Sequence, residues 1–528
     1  NIKTHRPKKG FHGKLNLALG SFSYINPSLR LSYGTDTFYG LAGYSYRYSK
    51  PYKTGEGKRF TEYANYKPSE IDSTAFSINT GWVKLGIRPS KDLSAELSYT
   101  AQRARDVLYP YLMMDSPKDD ADRLSLKLKL GKLKVTAYYS HIYHRMNNSK
   151  RTSMMFMETI AKTTTFGGKA EYQLKNLTFG IEAFSWNWKA RTQMGTTFQD
   201  TVPDVDFLNL GLFAELKKAL SKRLKLVAGL RFDSTRTEAD PRKANTERYY
   251  TYHNTRETSR TDTYPSGNIQ LFYSLSRSKE LFLGLGYSVR VPDAQERYFA
   301  LNRSGMMETL YGDWVGNPNL RPSKNTELDL GLRWSTARFS GDMTLFFSYV
   351  RDYITLYNQS GVNNTGLGNY ARSYANVDAR FFGGELSGVL AVTDTLFITG
   401  GVSYVRGVKE EDPSRGIRDK DVAEIPPLRG RLSLRYDTGD RFFEVELIGS
   451  ATQYNVDSDL REEKTPGWAV LNLKGGLDLG RFRLIAGADN VLDKFYYEHL
   501  SYLRDPFSSG VKVPEPGRSL YLNLVYTF

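Results

Sequence analysis

Several residue types and patterns are missing from the 528-residue chain, and each absence excludes a class of protein. The chain has no cysteine, which excludes disulfide frameworks, thiolate metal sites and cysteine nucleophiles. It has no run close to the roughly 18 consecutive apolar residues of a membrane-spanning helix, so a helical membrane protein is excluded. The motifs Gly-x-Ser-x-Gly and His-Glu-x-x-His are also absent, so we interpret the protein as a non-enzyme that holds no cofactor.

The charged residues are not gathered into a nucleic-acid-binding patch. The chain has 73 Lys and Arg against 57 Asp and Glu, a net charge of +16, but the basic residues are spread along it. We therefore expect no nucleic-acid partner and instead contact with anionic lipid and lipopolysaccharide. Two acidic clusters, Asp119-Asp120-Asp122 and Glu410-Glu411-Asp412, are interpreted as solvated loop charge.

The dominant pattern is an alternation with a period of two, which is typical of β-strands. Every second residue of 124–130 is leucine and the residues between are serine or lysine, and residues 520–528 alternate in the same way. The pattern predicts 22 strands, at 12–24, 28–34, 37–49, 73–87, 92–106, 121–130, 133–147, 158–174, 177–195, 203–217, 223–237, 261–275, 280–291, 325–335, 338–357, 370–392, 395–410, 422–437, 441–456, 465–479, 481–494 and 518–528.

The lengths of the connections between these strands indicate how the sheet is closed. Every even-to-odd connection is a short turn, whereas most odd-to-even connections are long and polar, among them 50–72, 107–120 and 292–324. Short turns on one rim and long loops on the other are typical of outer-membrane barrels, and closure leaves no strand edge unpaired in lipid. We therefore predict an all-β fold, a 22-stranded antiparallel transmembrane β-barrel over residues 11–528. We expect it to be integral to the outer membrane of a Gram-negative bacterium.

A barrel of this width needs a plug in its lumen, and none is visible in the chain. Residues 1–10 are short and basic and do not resemble a domain. We assign them to the end of a plug and its linker into the barrel, and we expect the plug itself to precede residue 1. A passive pore or a surface adhesin is the alternative from another functional class.

Three further segments carry a family resemblance. They are "NVLDKFYYEHLSYLRDPFSSGVKVPEPGRSLYLNLVYTF" (Asn490 to Phe528), "VRVPDAQERY" (Val289 to Tyr298) and "GNPNLRPSKNTELDLGL" (Gly316 to Leu332). They resemble TonB-dependent outer-membrane receptors, and "NIKT" (Asn1 to Thr4) is similar to the last plug strand of that family. The resemblance implies active import of a scarce nutrient bound between the plug and the extracellular loops. It also implies two protein partners: a TonB complex acting through the plug and the barrel-assembly machinery that reads the C-terminal strand. An extracellular substrate-binding partner is a further expectation.

The candidate substrate-binding residues are soft metal ligands. The chain has 6 His and 10 Met. In the predicted strand 133–147, Leu133 and Val135 face lipid, so His144 and Met146 are inward-facing neighbours at the extracellular end. An imidazole beside thioethers favours copper, and thioethers select Cu(I). Further candidate metal ligands are Met113, Met114, Met154, Met155, Met157, Met306 and Met307, although methionine also commonly fills irregular gaps in packing.

Two segments around these residues narrow the resemblance. "HIYHRMNNSKRTSMMFMETIAKTTTFGGKAEY" (His141 to Tyr172) and "DVLYPYLMMDSPKDDADR" (Asp106 to Arg123) resemble the TonB-dependent copper receptors. In those receptors a His-x-Met pair of the barrel joins a Cys-x-x-x-Met pair of the plug, which implies the barrel role for His144 and Met146. Copper ion is thus the expected transported substrate, and a ferric siderophore or other metal chelate is the alternative within the same fold.

Overall fold

The computed structural model describes residues 7–302, 312–360, 370–501 and 512–528. Within them lie two short helices, α1 (Thr246–His253) and α2 (Ala294–Tyr298). The strands are β1 (Gly10–Gly20), β2 (Tyr24–Gly34), β3 (Phe38–Ser49), β4 (Phe76–Ile87), β5 (Leu93–Val107), β6 (Asp115–Leu130), β7 (Leu133–Asn147), β8 (Met157–Leu174), β9 (Leu177–Met194), β10 (Thr197–Ala219), β11 (Leu224–Ala239), β12 (Ser259–Ser276), β13 (Lys279–Arg290), β14 (Ala300–Leu301), β15 (Asp313–Val315), β16 (Ser323–Ser335), β17 (Phe339–Ser360), β18 (Tyr370–Ala391), β19 (Leu396–Lys409), β20 (Arg429–Asp437), β21 (Arg441–Ser450), β22 (Trp468–Leu479), β23 (Phe482–Asp489) and β24 (Ser519–Thr527).

The sheet closes on itself as an antiparallel barrel. Each long strand pairs with its neighbours in sequence, β13 pairs directly with β16, and β24 returns to β1 with Leu524 opposite Leu17. The barrel wall therefore has 22 strands, as predicted. The short strands β14 and β15 are not among the strands of the wall: β15 pairs with β14 and runs parallel to the end of β18.

The two faces of the wall follow the period-two pattern of the sequence. On β24, Leu520, Leu522 and Leu524 keep 58%, 39% and 39% of their surface exposed. Leu522 stands opposite Leu19 of β1, so the exposed leucines of adjacent strands form one apolar surface. The side chains between them point to the lumen. No helix of the described residues is long and apolar enough to span a membrane.

Short turns connect the strands at one rim, and the turn residues fix the register of each hairpin. Between β6 and β7 the turn contains only Gly131 and Lys132, and Gly131 has a φ of +59°. That left-handed conformation is one that glycine adopts at no steric cost. Leu130 therefore pairs with Leu133, and the rest of the ladder follows.

The long connections lie at the opposite rim, and several of them fold into the barrel mouth. Tyr249 and Tyr252 of α1 and Tyr298 of α2 pack in one buried cluster with Ala190 of β9 and Val205 of β10. Buried ion pairs hold these segments: Arg248 contacts Asp313 at 2.6 Å and Arg297 contacts Asp262 at 2.7 Å, and the two arginine side chains are 11% and 0% exposed. The inner wall near β9 is thus covered from the loop side.

Most predicted strands are confirmed, but some boundaries were wrong. Strand β20 begins at Arg429 rather than at residue 422, β21 ends at Ser450 rather than at 456, and β23 ends at Asp489 rather than at 494. Strand β6 begins at Asp115 rather than at 121, so Asp119, Asp120 and Asp122 belong to a strand and not to a solvated loop. Helices α1 and α2 were not predicted, since each spans no more than about two turns.

The predicted division into residues 1–10 and 11–528 stays a prediction. Strand β1 begins at Gly10, close to that boundary, and residues 1–6 lie outside the described residues.

Candidate metal centre

His144 and Met146 lie on the inner face of β7, near its loop end. The residues that pair with them on β8 are Ala161 and Thr159. On β9, Ala190 pairs with Ala161 and Thr192 pairs with Thr159, so each row of paired residues continues across the three strands. These two β9 side chains are 6% and 5% exposed and lie beneath the loops that fill the barrel mouth, so the face that carries His144 and Met146 points into the lumen.

A carboxylate orients the His144 ring. The side chain of Asp119, directly opposite on β6, lies with Oδ2 3.1 Å from His144 Nδ1. An ionised carboxylate can only accept a hydrogen bond, so Nδ1 donates and Nε2 of a neutral ring carries the free lone pair. A carboxylate behind a histidine fixes the ring and raises its basicity, as it does behind many metal-binding histidines.

Three thioethers lie above Met146 on the same wall. Met157 is two residues beyond Thr159 and therefore shares the inner face of β8, and it pairs directly with Met194 of β9. Met155 and Met157 both pack against the buried cluster that contains Met194. Directly paired residues have Cβ atoms about 4.5–5.5 Å apart, which is within the reach of two long thioether side chains toward one ion.

Aromatic and polar groups of the mouth surround this thioether cluster, which consists of Met155, Met157 and Met194. Trp314 and Leu301 belong to the same buried cluster and are 5% and 7% exposed. The Gln199 side-chain Nε2 lies 3.9 Å from Met194 Sδ. The thioethers are thus held in a largely apolar pocket wall rather than on open loop surface.

The loop between β7 and β8, which carries Met155, is anchored by Arg151. The Arg151 guanidinium is 1% exposed, and its Nε and Nη2 donate to the two oxygens of Asp115, both at 2.7 Å. Nη2 also donates to the Tyr66 hydroxyl at 2.7 Å and to the Tyr109 carbonyl at 2.9 Å. This cluster joins three loops of the mouth, 50–75, 108–114 and 148–156.

Burial and electrostatics keep the Tyr66 hydroxyl of the anchoring cluster protonated. Burial, followed by the charge of Asp115, raises the pKa of Tyr66 far above its usual value. The Tyr66 hydroxyl therefore keeps its proton and donates to Asp115 Oδ1 at 2.7 Å. The same residue's ring lies 3.7 Å from the Arg151 guanidinium, which adds a cation–π contact.

Of the other predicted methionines that the structure describes, none belongs to the thioether cluster. Met154 is 97% exposed, and Met113 and Met114 lie in the loop between β5 and β6. Met306 and Met307 lie outside the described residues. In the part of the chain that the structure describes, no three His, Asp or Glu side chains are grouped so that they could hold a metal ion.

Sequence reasoning missed two residues of the site, Asp119 and Met194. Both could have been found from the short turns. A two-residue turn at 131–132 pairs Leu130 with Leu133 and hence, counting outward, Asp119 with His144. The turn at 175–176 pairs Leu174 with Leu177 and, in the same way, Met157 with Met194.

Comparison with known proteins places the chain in a family. The family model described as "TonB dependent receptor-like, beta-barrel" matches residues 16–491. No curated protein sequence matches the chain.

Several solved structures share the fold. One is the copper transporter OprC, with a TM-score of 0.82 and 24% sequence identity over 100% of this chain and 81% of that one. Another is the FrpB iron transporter from Neisseria meningitidis, with a TM-score of 0.72 and 14% identity over 99% of this chain and 82% of that one. A third is the ferric yersiniabactin uptake receptor FyuA from Yersinia pestis, with a TM-score of 0.71 and 14% identity over 99% of this chain and 81% of that one. At these identities the similarity shows the fold and not the substrate.

Proposed function

Because the chain belongs to the TonB-dependent receptor family, whose members are outer-membrane transporters rather than enzymes, we propose that it imports copper ion across the outer membrane of a Gram-negative bacterium. The observation that carries the proposal is the stack of soft ligands on one inner wall. His144 and Met146 occupy two successive rows of that wall, and Met157 and Met194 share the next row.

The ligand types favour copper over iron. Thioether and imidazole ligands suit copper, whereas carboxylate and other oxygen ligands suit hard cations. The wall offers a thioether cluster with one carboxylate, Asp119, which is already bonded to His144. Import of a ferric chelate, the alternative within the family, has support only from the fold that this chain shares with receptors such as FrpB and FyuA. OprC, to which the chain is also similar, is a copper transporter.

The order of the rows suggests a path for the ion. Successive same-face residues on a strand are about 6.6 Å apart. The thioether cluster lies nearest the mouth, Met146 lies one row deeper, and His144 another row deeper. The cluster would take copper from the outside, and His144 with its free Nε2 would hold it next to the lumen. The energy for release into the cell would come from TonB, acting through a plug.

Copper binding by the purified full-length receptor tests the proposal. Cu(I) is added under anaerobic conditions, unbound metal is removed on a desalting column, and the bound metal is counted by mass spectrometry. We expect wild-type receptor to retain copper and the double variant His144→Ala plus Met146→Ala to lose it.

His141→Ala is the matched control for this experiment. His141 lies on the same strand but on the outer face, where Nδ1 is 3.0 Å from the Thr164 hydroxyl. The control should keep the wild-type stoichiometry. If the double variant also keeps it, His144 and Met146 are not copper ligands. Retention of a ferric siderophore by a receptor that does not retain copper would favour the chelate alternative.

A further inference from the structure

The outer face of β5–β9 changes from apolar to cationic along the strands. On β8 the outward side chains include Leu174 near the short-turn rim, which is 41% exposed, and Phe166 nearer the loops, which is 65% exposed. Thr164 and then Lys162 follow on the same face, closer still to the loops. On β9 the exposed Leu177, Phe179 and Ile181 give way to Lys189 and Arg191 toward the loops. A row of cationic side chains therefore lies between the apolar band and the long loops.

The register places these cations side by side. One row across the five strands consists of Arg103, Asp120, Tyr143, Lys162 and Lys189. The next row toward the loops consists of Arg105, Lys118, Arg145, Ile160 and Arg191.

Part of this charge is already neutralised by carboxylates. Arg103 contacts Asp122 at 2.8 Å, Arg105 contacts Asp120, and Arg145 contacts Glu158 at 2.6 Å.

Lys162 and Lys189, in the centre of the surface, make no salt bridge with a described residue, although the Asp204 carboxylate of β10 lies near Lys189. Among the ion pairs of the described residues, none includes Lys162 or Lys189, and both side chains are exposed. The ammonium groups of Lys162 and Lys118 lie 5.6 and 5.0 Å from the centre of the Tyr143 ring. Lys118 has only a 3.4 Å contact with Asp120, a carboxylate that Arg105 also engages. Two like charges on one ring repel each other, and an anion between them would offset that repulsion.

The height of these lysines matches a lipid headgroup. Lys162 is twelve residues from Leu174, the apolar residue at the short-turn end of β8, or about 40 Å along the strand. At a strand tilt of about 35–45° this is roughly 28–32 Å of height, whereas the apolar band of such barrels is about 25 Å tall. The lysines therefore lie above the band, at the rim that carries the long loops. In outer-membrane barrels this is the extracellular rim, where the leaflet contains phosphorylated glycolipid.

We propose that this surface, formed by Lys118, Tyr143, Lys162, Lys189 and Arg191, binds the phosphate groups of a bisphosphorylated glycolipid, the lipid A part of lipopolysaccharide. The acyl chains of the lipid lie on the apolar band below, against the exposed ring of Phe166. The surface offers two cation pairs, Lys118 with Lys162 and Lys189 with Arg191, for two phosphate groups. This lipid site is on the opposite face of the wall from the copper ligands and does not depend on them.

The test compares lipids retained by the purified full-length receptor in native mass spectrometry. The variant Lys162→Gln plus Lys189→Gln removes two charges and leaves polar side chains that are one atom shorter. The matched control, Lys132→Gln plus Lys222→Gln, removes two charges at the short-turn rim. The probes are bisphosphorylated lipid A, monophosphorylated lipid A and phosphatidylglycerol.

We expect the lysine variant to bind bisphosphorylated lipid A roughly 30-fold more weakly, since each lysine near an anionic lipid is worth about a factor of five. The control should bind bisphosphorylated lipid A as the wild type does. Binding of monophosphorylated lipid A to the lysine variant should weaken less. Equal lipid A binding by the variant and the wild type would overturn the proposal. An equal loss with phosphatidylglycerol would also overturn it, because the surface would then be a general site for phospholipid. Copper binding is measured separately on the same variant and should stay at the wild-type level, whatever the lipid result.

Discussion

Replacing Arg151 with methionine should release the loops of the barrel mouth from one another. Arg151 is buried and makes a two-pronged contact with Asp115, a bond to the Tyr66 hydroxyl and a bond to the Tyr109 carbonyl. Methionine fills much of the same space but leaves the Asp115 carboxylate buried without its cation. Removing one partner of a buried pair costs about 3–5 kcal/mol.

Two backbone hydrogen bonds report on this loss. The Lys67 amide donates to the Lys150 carbonyl at 3.0 Å, and the Thr152 amide donates to the Asn65 carbonyl at 2.8 Å. Both bonds join the loop between β3 and β4 to the loop between β7 and β8. A cost of about 3–5 kcal/mol corresponds to a roughly 150- to 5000-fold faster exchange of these amides, where exchange follows opening of the loops.

Hydrogen exchange measured by mass spectrometry on the full-length receptor checks this prediction. Arg145→Met is the matched control, because Arg145 pairs with Glu158 on the outer face, where its side chain is 43% exposed. An exposed pair is worth only about 0–1 kcal/mol, so the control should exchange almost as the wild type does. If Arg151→Met also exchanges at the wild-type rate, the buried cluster does not hold the loops.

Two further predictions concern the last long loop and the thioether cluster. Burial, followed by the nearby charge of Glu498, raises the pKa of Glu515 to about 7. Its docked loop is therefore most stable below the unfolded-state pKa, and that stability declines as the pH rises to about 7. The Glu515 amide donates to the Tyr496 carbonyl, and its hydrogen exchange should accelerate from pH 5 to pH 8 by more than the intrinsic effect of pH. Glu515→Gln should remove this additional acceleration. The same additional acceleration in the variant would refute the assignment to Glu515. Met194→Leu keeps the volume and should cost less than about 1.5 kcal/mol of stability, yet it should weaken copper binding by at least about tenfold, as expected when the surroundings of a bound metal change; unchanged copper affinity would exclude Met194 from the copper site.

The architecture could be predicted because its signals are local. Alternating leucines such as those of 124–130 define the outer face, and short turns such as Gly131-Lys132 define the register. Once a turn is fixed, every pair along its hairpin is fixed with it. For that reason the inward position of His144 and Met146 followed from the sequence.

The arrangement of the mouth could not be predicted, because its contacts join segments that are far apart in sequence. Helix α1 has four buried residues, yet its sequence is polar and short. The parallel pairing of β15 with β18 and the bond between Arg297 and Asp262 have no local signal. The burial of Met194 also depends on Trp314, which reaches it only through the folded loops.

Copper accumulation in intact cells tests the central proposal most directly. Cells that express the full-length receptor are supplied with limiting copper, with and without a working TonB complex, and the metal inside them is measured by mass spectrometry. We predict accumulation that requires both TonB and an intact His144–Met146 pair. Equal accumulation without TonB, or in the His144→Ala plus Met146→Ala variant, would contradict it.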